Sequence, residues 1–205
     1  MRILGLTGSI AMGKSTAAAM LRRMGVPVLD SDAIVHELTR PGGAAIQAIT
    51  DAYPEMAAGA GIDRRELSQR AFDDPAVLRK LEQILHPMVR AAQARFLKRQ
   101  RARGQRLVVL DVPLLYETGG DRRCDAVLVV SAPGPIQEQR VMARPGMTRE
   151  KLAGILRTQM PDAEKRRRAD FVIQTGLNRR SALRQMRAAL QAAKRIAPRR
   201  WRPGL

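Results

Sequence analysis

Residues 8–15 read Gly8-Ser9-Ile10-Ala11-Met12-Gly13-Lys14-Ser15, a complete match to the pattern G-x-x-x-x-G-K-[ST]. An apolar segment over residues 3–7 precedes the match and predicts a buried strand. A helix-favouring segment that starts at Thr16 follows it. Strand, glycine-rich loop and helix in this order are the context in which the pattern becomes a binding site.

The chemistry of this loop favours a polyphosphate ligand. Backbone N–H groups of the loop and the N-terminus of the following helix point at one place and attract negative charge. Lys14 would add positive charge for the β- and γ-phosphates, and Ser15 would offer its hydroxyl to a bound Mg²⁺. We therefore predict that residues 8–16 bind a nucleotide such as ATP.

Length and composition predict one domain over residues 1–205 with an aliphatic core. Hydrophobic residues make up 45% of the chain and aromatic residues only 3%, so Ala, Leu, Val, Ile and ten Met must form that core. The single cysteine, Cys124, excludes an internal disulfide and fits a reducing compartment. Neither a signal peptide nor a membrane span is expected. A cytoplasmic location follows from these features as an expectation.

The formal net charge of +18 raises the question of a polyanionic partner. The cations stand in separate blocks over residues 98–106, 165–168 and 195–202, with almost no aromatic residues between them. This spacing argues against a stacking platform for single-stranded nucleic acid. We expect a solvated basic surface with no specific nucleic-acid partner and no membrane partner, on a monomer or weak homo-oligomer.

Four further apolar runs, over residues 26–29, 107–111, 125–130 and 171–173, predict strands that alternate with helices. This alternation predicts an α/β fold of the P-loop NTPase type, a doubly wound parallel five-stranded sheet. Ligands of such sheets bind at the carboxyl ends of the strands. Gly8, Asp32 and Asp111 all fall at such ends.

Two segments allow specific predictions about helices, namely a helical insertion and a helix cap. Residues 63–103 contain helical patterns and no strand, so they predict a helical insertion that His86-Pro87 should kink or split. After the second strand, Ser31 or Asp32 is expected to cap the next helix. Asp32 equally fits a carboxylate that accepts a proton from a hydroxyl and orients the nucleophile.

Residues alone leave the class of P-loop protein open. The absence of an Asn-Lys-x-Asp motif weakens a GTPase interpretation. The length of the chain fits a kinase that acts on a nucleoside, a nucleoside monophosphate or another small molecule. A basic nucleic-acid-binding protein in which ATP only switches the conformation is the alternative from another class.

Five segments resemble one known family. They are Gly5-Leu6-Thr7-Gly8-Ser9-Ile10-Ala11-Met12-Gly13-Lys14-Ser15-Thr16, Val28-Leu29-Asp30-Ser31-Asp32-Ala33-Ile34, Leu85-His86-Pro87, Val112-Pro113-Leu114-Leu115-Tyr116-Glu117 and Ala169-Asp170-Phe171-Val172-Ile173. In this order, over nearly the whole chain, they are similar to the dephospho-coenzyme A kinases. His86-Pro87 and the segment that ends at Glu117 carry the specificity, because many families share the phosphate loop.

The resemblance implies a reaction and a division of the chain. ATP would phosphorylate the ribose 3′-hydroxyl of dephospho-coenzyme A, the last step of coenzyme A synthesis, with Mg²⁺ as cofactor. The nucleotide-binding core would carry a helical acceptor-binding insertion at about residues 63–103 and a lid at about residues 140–157. The basic tail at residues 198–205 lies outside the resemblance, and we expect it to be loose.

The resemblance also implies roles for individual residues. Asp32 would be the catalytic base or orienting carboxylate, beside Lys14 as the phosphate-binding cation. Arg140 and Arg144, four apart and expected on one helix face, would neutralise phosphate charge, Arg140 on the transferred group and Arg144 on ATP. Asp111 would be a Walker-B-like Mg²⁺ ligand together with Ser15, or would only orient the turn. The expected acceptor pocket comprises Asp32, His86, Pro87, Leu114, Leu115 and Glu117.

The phosphate loop departs from the family at one position. The family usually has glycine where this chain has Ala11. Alanine restricts the backbone more than glycine does, but Gly8 and Gly13, which the pattern requires, are both present. We therefore expect the loop to keep its function.

Overall fold

The computed structural model describes residues 1–59 and 61–198, which form two compact units. Of the described residues, one unit comprises residues 1–29 and 100–198, and the other comprises residues 30–59 and 61–99. The strands and α-helices are β1 (Arg2–Thr7), α1 (Lys14–Arg23), β2 (Val28–Asp30), α2 (Ser31–Leu38), α3 (Ile46–Ala52), β3 (Ala57–Ala58), β4 (Gly61–Ile62), α4 (Arg64–Asp73), α5 (Pro75–Ala102), β5 (Leu107–Asp111), β6 (Ala126–Ser131), α6 (Gly134–Met142), α7 (Arg149–Thr158), α8 (Asp162–Arg168), β7 (Phe171–Gln174) and α9 (Arg179–Ala193).

A five-stranded sheet with the order β2-β5-β1-β6-β7 organises the first unit. Strand β1 pairs in parallel with both β5 and β6, and β6 pairs in parallel with β7. The central strands β5 and β6 are buried along their whole length, as strands covered on both faces require. The predicted α/β fold with a parallel five-stranded sheet is confirmed.

Aliphatic side chains and methionines build the core of this unit, as the scarcity of aromatic residues requires. Leu4 and Leu6 of β1 and Leu128 and Val130 of β6 pack with residues of α1 and α9. The apolar face of α9 is centred on Met186, which is fully buried. Because β1 and β6 lie side by side in parallel, the phosphate loop that leaves β1 begins beside the carboxyl end of β6.

The second unit has a core of its own, made from α3, α4, α5 and the short strands β3 and β4. Its buried residues are Ala45, Ile49, Met56, Ile62, Leu67 and Leu81. The antiparallel pair β3–β4 was not predicted, because two strands of two residues each carry no periodic signal.

Pro87 does not split the helix in which it lies. α5 runs without interruption for 28 residues with Pro87 inside it. Proline removes one backbone hydrogen bond. Leu85 and Met88, on either side of His86-Pro87, pack against the core of the second unit and hold both halves of α5 in place. The packing of α5 thus outweighs the loss of one backbone hydrogen bond at Pro87. The expectation that the helix is split there is wrong.

The cap of α2 is also one residue earlier than expected. Asp30 is the N-cap, and its Oδ1 accepts hydrogen bonds from the backbone N–H groups of Asp32 and Ala33 at 3.0 and 3.2 Å. Ser31 and Asp32 both lie inside the first turn, so neither caps the helix. An aspartate at this position satisfies two N–H groups that the helix leaves without a partner.

Near the predicted lid, α6 ends at Met142 and Arg144 lies beyond it. Arg140 and Arg144 therefore do not share the helix face that their spacing of four residues allows. α8 was not predicted, because its sequence is largely charged and carries no apolar periodicity. The tail predicted at residues 198–205 lies, apart from Pro198, outside the described residues.

Among the helices of the described residues, none is both long enough and apolar enough to cross a membrane.

We predict that Leu128→Ala lowers the free energy of unfolding by about 2–5 kcal/mol, because it opens a cavity in the centre of the sheet. Leu128 is fully buried, whereas Leu177 is 76% exposed, so Leu177→Ala serves as the matched control. The control should change stability by less than about 0.5 kcal/mol. Urea denaturation of both variants checks this, and equal effects would contradict the assignment of Leu128 to the core.

Candidate active site

The phosphate loop connects the end of β1 to the start of α1 and approaches β6 closely. A Cβ atom added at Gly8 would lie 2.7 Å from the carbonyl oxygen of Val130, so only glycine fits there without a shift. Gly13 adopts the left-handed conformation, with φ 90°, as the N-cap of α1. The first N–H groups of α1, including those of Ser15 and Thr16, have no acceptor within the helix and are oriented for an anionic ligand.

An ion pair joins the loop to the carboxyl end of β5. Lys14 Nζ donates to Asp111 Oδ1 at 2.8 Å, and the Asp111 side chain is only 1% exposed. The geometry brings together the two residues that the sequence assigned to phosphate and to metal. A buried carboxylate of this kind fixes the ammonium group of Lys14 at the edge of the sheet.

Arg140 of α6 lies against the phosphate loop and the end of β7. Its guanidinium donates to the carbonyl oxygen of Thr175 at 2.7 Å, to Thr175 Oγ1 at 3.1 Å and to the carbonyl oxygen of Ala11 at 3.4 Å. Thr175 Oγ1 in turn donates to the carbonyl oxygen of Met12 at 2.8 Å. Arg140 thereby holds a positive charge next to the loop, whereas Arg144 is exposed beyond the end of α6.

The segment after β5 packs against β1 and forms a buried ion pair. Thr7 Oγ1 donates to the carbonyl oxygen of Pro113 at 2.8 Å. Leu115 is almost fully buried, and a Cβ atom added at Gly5 would lie 2.6 Å from its Cδ2 atom. Lys165 Nζ, fully buried in α8, lies 2.8 Å from Glu117 Oε1.

Glu117 therefore has a structural task in addition to any contact with a ligand. Its Oε1 atom also accepts a hydrogen bond from the backbone N–H of Met160 at 2.8 Å. These contacts tie the segment after β5 to the connection between α7 and α8. Leu114, between Pro113 and Leu115, is partly exposed.

Three predicted site residues belong to the second unit. Asp32 is exposed in the first turn of α2, and the cap of that helix is Asp30. His86 and Pro87 lie in the middle of α5, where His86 is partly exposed and Pro87 exposed.

The donor set suits a divalent cation held jointly with a nucleotide. The described residues contain no group of three or more His, Cys, Asp and Glu side chains that would hold a metal alone. Ser15 and Asp111 offer a hydroxyl and a carboxylate, the oxygen ligands that Mg²⁺ takes together with substrate phosphates. The chain therefore fits a cation that arrives with ATP.

Three residues that contact the phosphate loop were not assigned a role from the sequence. Thr175 directly follows β7, so its position at the carboxyl end of a strand could have identified it as a site residue from the sequence. Gln137 and Gln159 both bond to the backbone of Ile10, but nothing in the local sequence distinguishes Gln137 from a surface glutamine. Such contacts depend on how α6 and α7 pack.

The parallel sheet and the glycine-rich loop, with Lys14 fixed by Asp111, define a P-loop nucleotide-binding protein. A family model described as dephospho-CoA kinase matches residues 2–181. The chain belongs to the dephospho-CoA kinase family, and the family, the fold class and the kinase activity predicted from the sequence are confirmed. Members of this family use ATP and generally need a divalent metal.

Relatives agree with this family assignment, and solved structures agree with the fold. The dephospho-CoA kinase of Rhodospirillum rubrum is 52% identical over 203 residues, which cover 98% of this chain and 96% of the relative. That of Paramagnetospirillum magneticum is 58% identical over 166 residues, covering 81% of this chain and 78% of the relative. The crystal structure of TT1252 from Thermus thermophilus has a TM-score of 0.83 and 39% identity, covering 93% of this chain and 96% of that one. Dephospho-CoA kinase from Campylobacter jejuni shares the fold, with a TM-score of 0.63, 21% identity and coverage of 94% and 97%.

Tyr116, next to Glu117, has a perturbed hydroxyl. Burial, and after it the carboxylates of Asp121 and Asp170, raise the pKa of Tyr116 to about 12, although Arg168 over the ring lowers it in part. The folded state thus holds the proton of Tyr116 more tightly than the unfolded state does. This contribution to stability is complete below about pH 10 and is lost as the pH rises towards 12.

We predict a tyrosine titration step near pH 12 in the folded protein, which Tyr116→Phe removes. The variant should also lose less stability than the wild type between about pH 10 and pH 12, by roughly 1–3 kcal/mol. Ultraviolet absorbance titration and urea denaturation at several pH values measure the two effects. Tyr53→Phe, which removes the other tyrosine, is the control and should keep the step. An unchanged step in Tyr116→Phe would contradict the assignment.

Proposed function

We propose that the protein transfers the γ-phosphoryl group of ATP to the ribose 3′-hydroxyl of dephospho-coenzyme A, which gives coenzyme A and ADP. The observation that carries the proposal is the phosphate loop with Lys14 fixed by Asp111 at the carboxyl edge of the sheet. In the reaction, the 3′-oxygen forms a bond to the γ-phosphorus and the bond from that phosphorus to the β–γ bridging oxygen breaks. The proton of the hydroxyl leaves to a base.

The nucleotide side of the proposal rests on residues 8–16. Backbone N–H groups of this stretch, among them those of Ser15 and Thr16, would bind the phosphates of ATP, and Lys14 would bind the β- and γ-phosphates. Arg140, whose guanidinium lies beside the carbonyl oxygen of Ala11, would stabilise the charge of the transferred group as an arginine finger does. Arg144, exposed at the turn after α6, would reach the phosphates of ATP from solvent.

Asp32 is the proposed base of the acceptor side. Capping of α2 by Asp30 removes the alternative explanation that Asp32 is there as an N-cap. A carboxylate in hydrogen-bond reach of the 3′-hydroxyl would accept its proton and orient the oxygen for attack. His86, Pro87 and Leu114 are the proposed contacts of the acceptor, while Leu115 and Glu117 would shape the pocket through their buried packing and ion pair.

Mg²⁺ is the proposed cation. When bound, it would neutralise negative charge on the phosphates of ATP. Ser15 and Asp111 would hold it, with Asp111 shared between the cation and Lys14.

The proposal includes a division of labour within a single kinase domain. The helical stretch at about residues 63–103, which contains α4 and α5, would bind the acceptor. The stretch at about residues 140–157, which contains the end of α6 and most of α7, would act as the lid. Closure of a lid would exclude water from the phosphoryl group and so favour transfer over hydrolysis.

We also propose a cellular location and an oligomeric state for the protein. A cytoplasmic protein fits the use of ATP and a single cysteine, Cys124, which is buried. We propose a monomer or weak homo-oligomer with no specific nucleic-acid partner. The excess of 37 Lys and Arg over 19 Asp and Glu would then be a solvated surface that binds polyanions only weakly at physiological salt.

An acceptor assay tests the proposed function. Purified protein with ATP and Mg²⁺ is mixed with dephospho-coenzyme A, and separately with nucleosides, nucleoside monophosphates and a polynucleotide. We expect ADP release and a 3′-phosphorylated product with dephospho-coenzyme A alone. Turnover of another acceptor would favour a different small-molecule kinase. Tight polynucleotide binding without a phosphorylated product would favour a nucleic-acid-binding protein.

We predict that Asp32→Asn lowers kcat by about 10²- to 10⁴-fold, because the amide cannot accept the proton. The KM for ATP should stay within about threefold, since Asp32 is proposed to act on the acceptor rather than on the phosphates. Steady-state kinetics with each substrate varied in turn gives both values. Glu37→Gln is the control, because Glu37 lies on the same helix and pairs on the surface with Arg40. Equal kcat values for the two variants would contradict Asp32 as the base.

A further inference from the structure

Two glutamines hold the peptide groups on both sides of Ile10 in the phosphate loop. The N–H of Ile10 donates to Gln159 Oε1 at 3.0 Å, and the carbonyl oxygen of Ile10 accepts from Gln137 Nε2 at 2.9 Å. Gln137 lies on α6 and is buried, and Gln159 is the C-cap of α7. The loop is therefore bonded from two different helices at one residue, and one of these helices belongs to the proposed lid.

The next residue, Ala11, has the conformation that an alanine adopts least readily. With φ 59°, Ala11 is the one residue other than glycine with a positive φ among residues 1–59 and 61–198. The left-handed region brings Cβ too close to the backbone, so an L-residue occupies it only when its surroundings hold it there. Glycine would meet no such resistance.

The surroundings that hold Ala11 come from the same two helices. Its methyl group is buried in an apolar cluster with Val141 of α6 and Leu152 of α7, against which Ile10 and Met147 also pack. Burial of the methyl group favours the left-handed conformation, because a change of φ would move this group out of the cluster. Packing of α7 and the shape of the loop thus support each other.

We propose that Ala11, Gln137 and Gln159 are positioning residues that make the phosphate-binding shape of the loop depend on the packing of α7. Glycine at position 11 would hold this shape without help, whereas alanine holds it only with Leu152 in place. The inference rests on the proposed binding of ATP by this loop. It adds that the affinity for ATP depends on the apolar packing and the amide hydrogen bonds that α6 and α7 supply.

A double-mutant cycle between Ala11→Gly and Leu152→Ala tests the coupling. In the wild-type background, Leu152→Ala should raise the KM for ATP by about tenfold, with a smaller effect on kcat. In the Ala11→Gly background, the same substitution should raise it by about twofold or less. Leu156→Ala is the matched control in both backgrounds, because Leu156 is on the same helix but 39% exposed.

The hydrogen bonds are tested by variants that keep the side-chain volume. Gln137→Met and Gln159→Met should each raise the KM for ATP by about threefold to tenfold, since each leaves one backbone group of Ile10 without its partner. Gln139→Met, at an exposed position of α6, should not change it. These variants keep the apolar cluster intact, so they remain informative if Leu152→Ala does not fold.

The outcomes separate this inference from the proposed function. Binding of ATP with Mg²⁺ to the wild-type protein is measured first by calorimetry, and absence of binding would refute both. If ATP binds but Leu152→Ala has the same effect on KM in the wild-type and Ala11→Gly backgrounds, the coupling is refuted and the proposed function stands. A fall in thermal stability of the glutamine variants with an unchanged KM would likewise reduce Gln137 and Gln159 to structural residues.

Discussion

The ion pair between Lys14 and Asp111 is the contact on which the site depends. It joins the first residue of α1 to the last residue of β5, two elements that lie far apart in sequence and meet only because β1 and β5 pair in parallel. Burying a carboxylate is costly unless a cation compensates for it, and Lys14 supplies positive charge beside Asp111. Lys14 in turn is held where phosphates would bind. The same ion pair therefore joins α1 to the edge of the sheet and holds a positive charge in the site.

The sequence predicted those parts of this arrangement that local chemistry decides. Leu107–Asp111 was predicted with its observed bounds, because a continuous run of buried β-branched and leucine residues has few other interpretations. The loop and the position of Asp111 at a strand end follow from residue type and spacing in the same way. Family resemblance then supplied what spacing alone left open, namely which P-loop kinase this is.

Features decided by tertiary packing were missed. Pro87 lies inside α5 because the apolar residues of that helix pack on both sides of it, and no local rule weighs that packing against one lost hydrogen bond. The cap of α2 fell on Asp30 rather than Ser31 or Asp32, since three adjacent polar residues all have side chains that can cap. Gln137 is an ordinary polar residue in the sequence, and only the assembled helices bring it to the loop.

The chemistry of the contacts around the loop suits a ligand of high negative charge. The chain has 37 Lys and Arg, yet Ile10 and Met12 are held by neutral groups, the amides of Gln137 and Gln159 and the hydroxyl of Thr175. The amides of Gln137 and Gln159 and the hydroxyl of Thr175 carry no net charge, so a polyphosphate attracts them less strongly than it attracts a cation. Charged groups behave differently, since a phosphate competes directly for Lys14 and Arg140. Ile10 and Met12 can thus keep these contacts while Lys14 and Arg140 bind the substrate, and a loop that keeps its shape provides the fixed donors that electrostatic preorganisation requires.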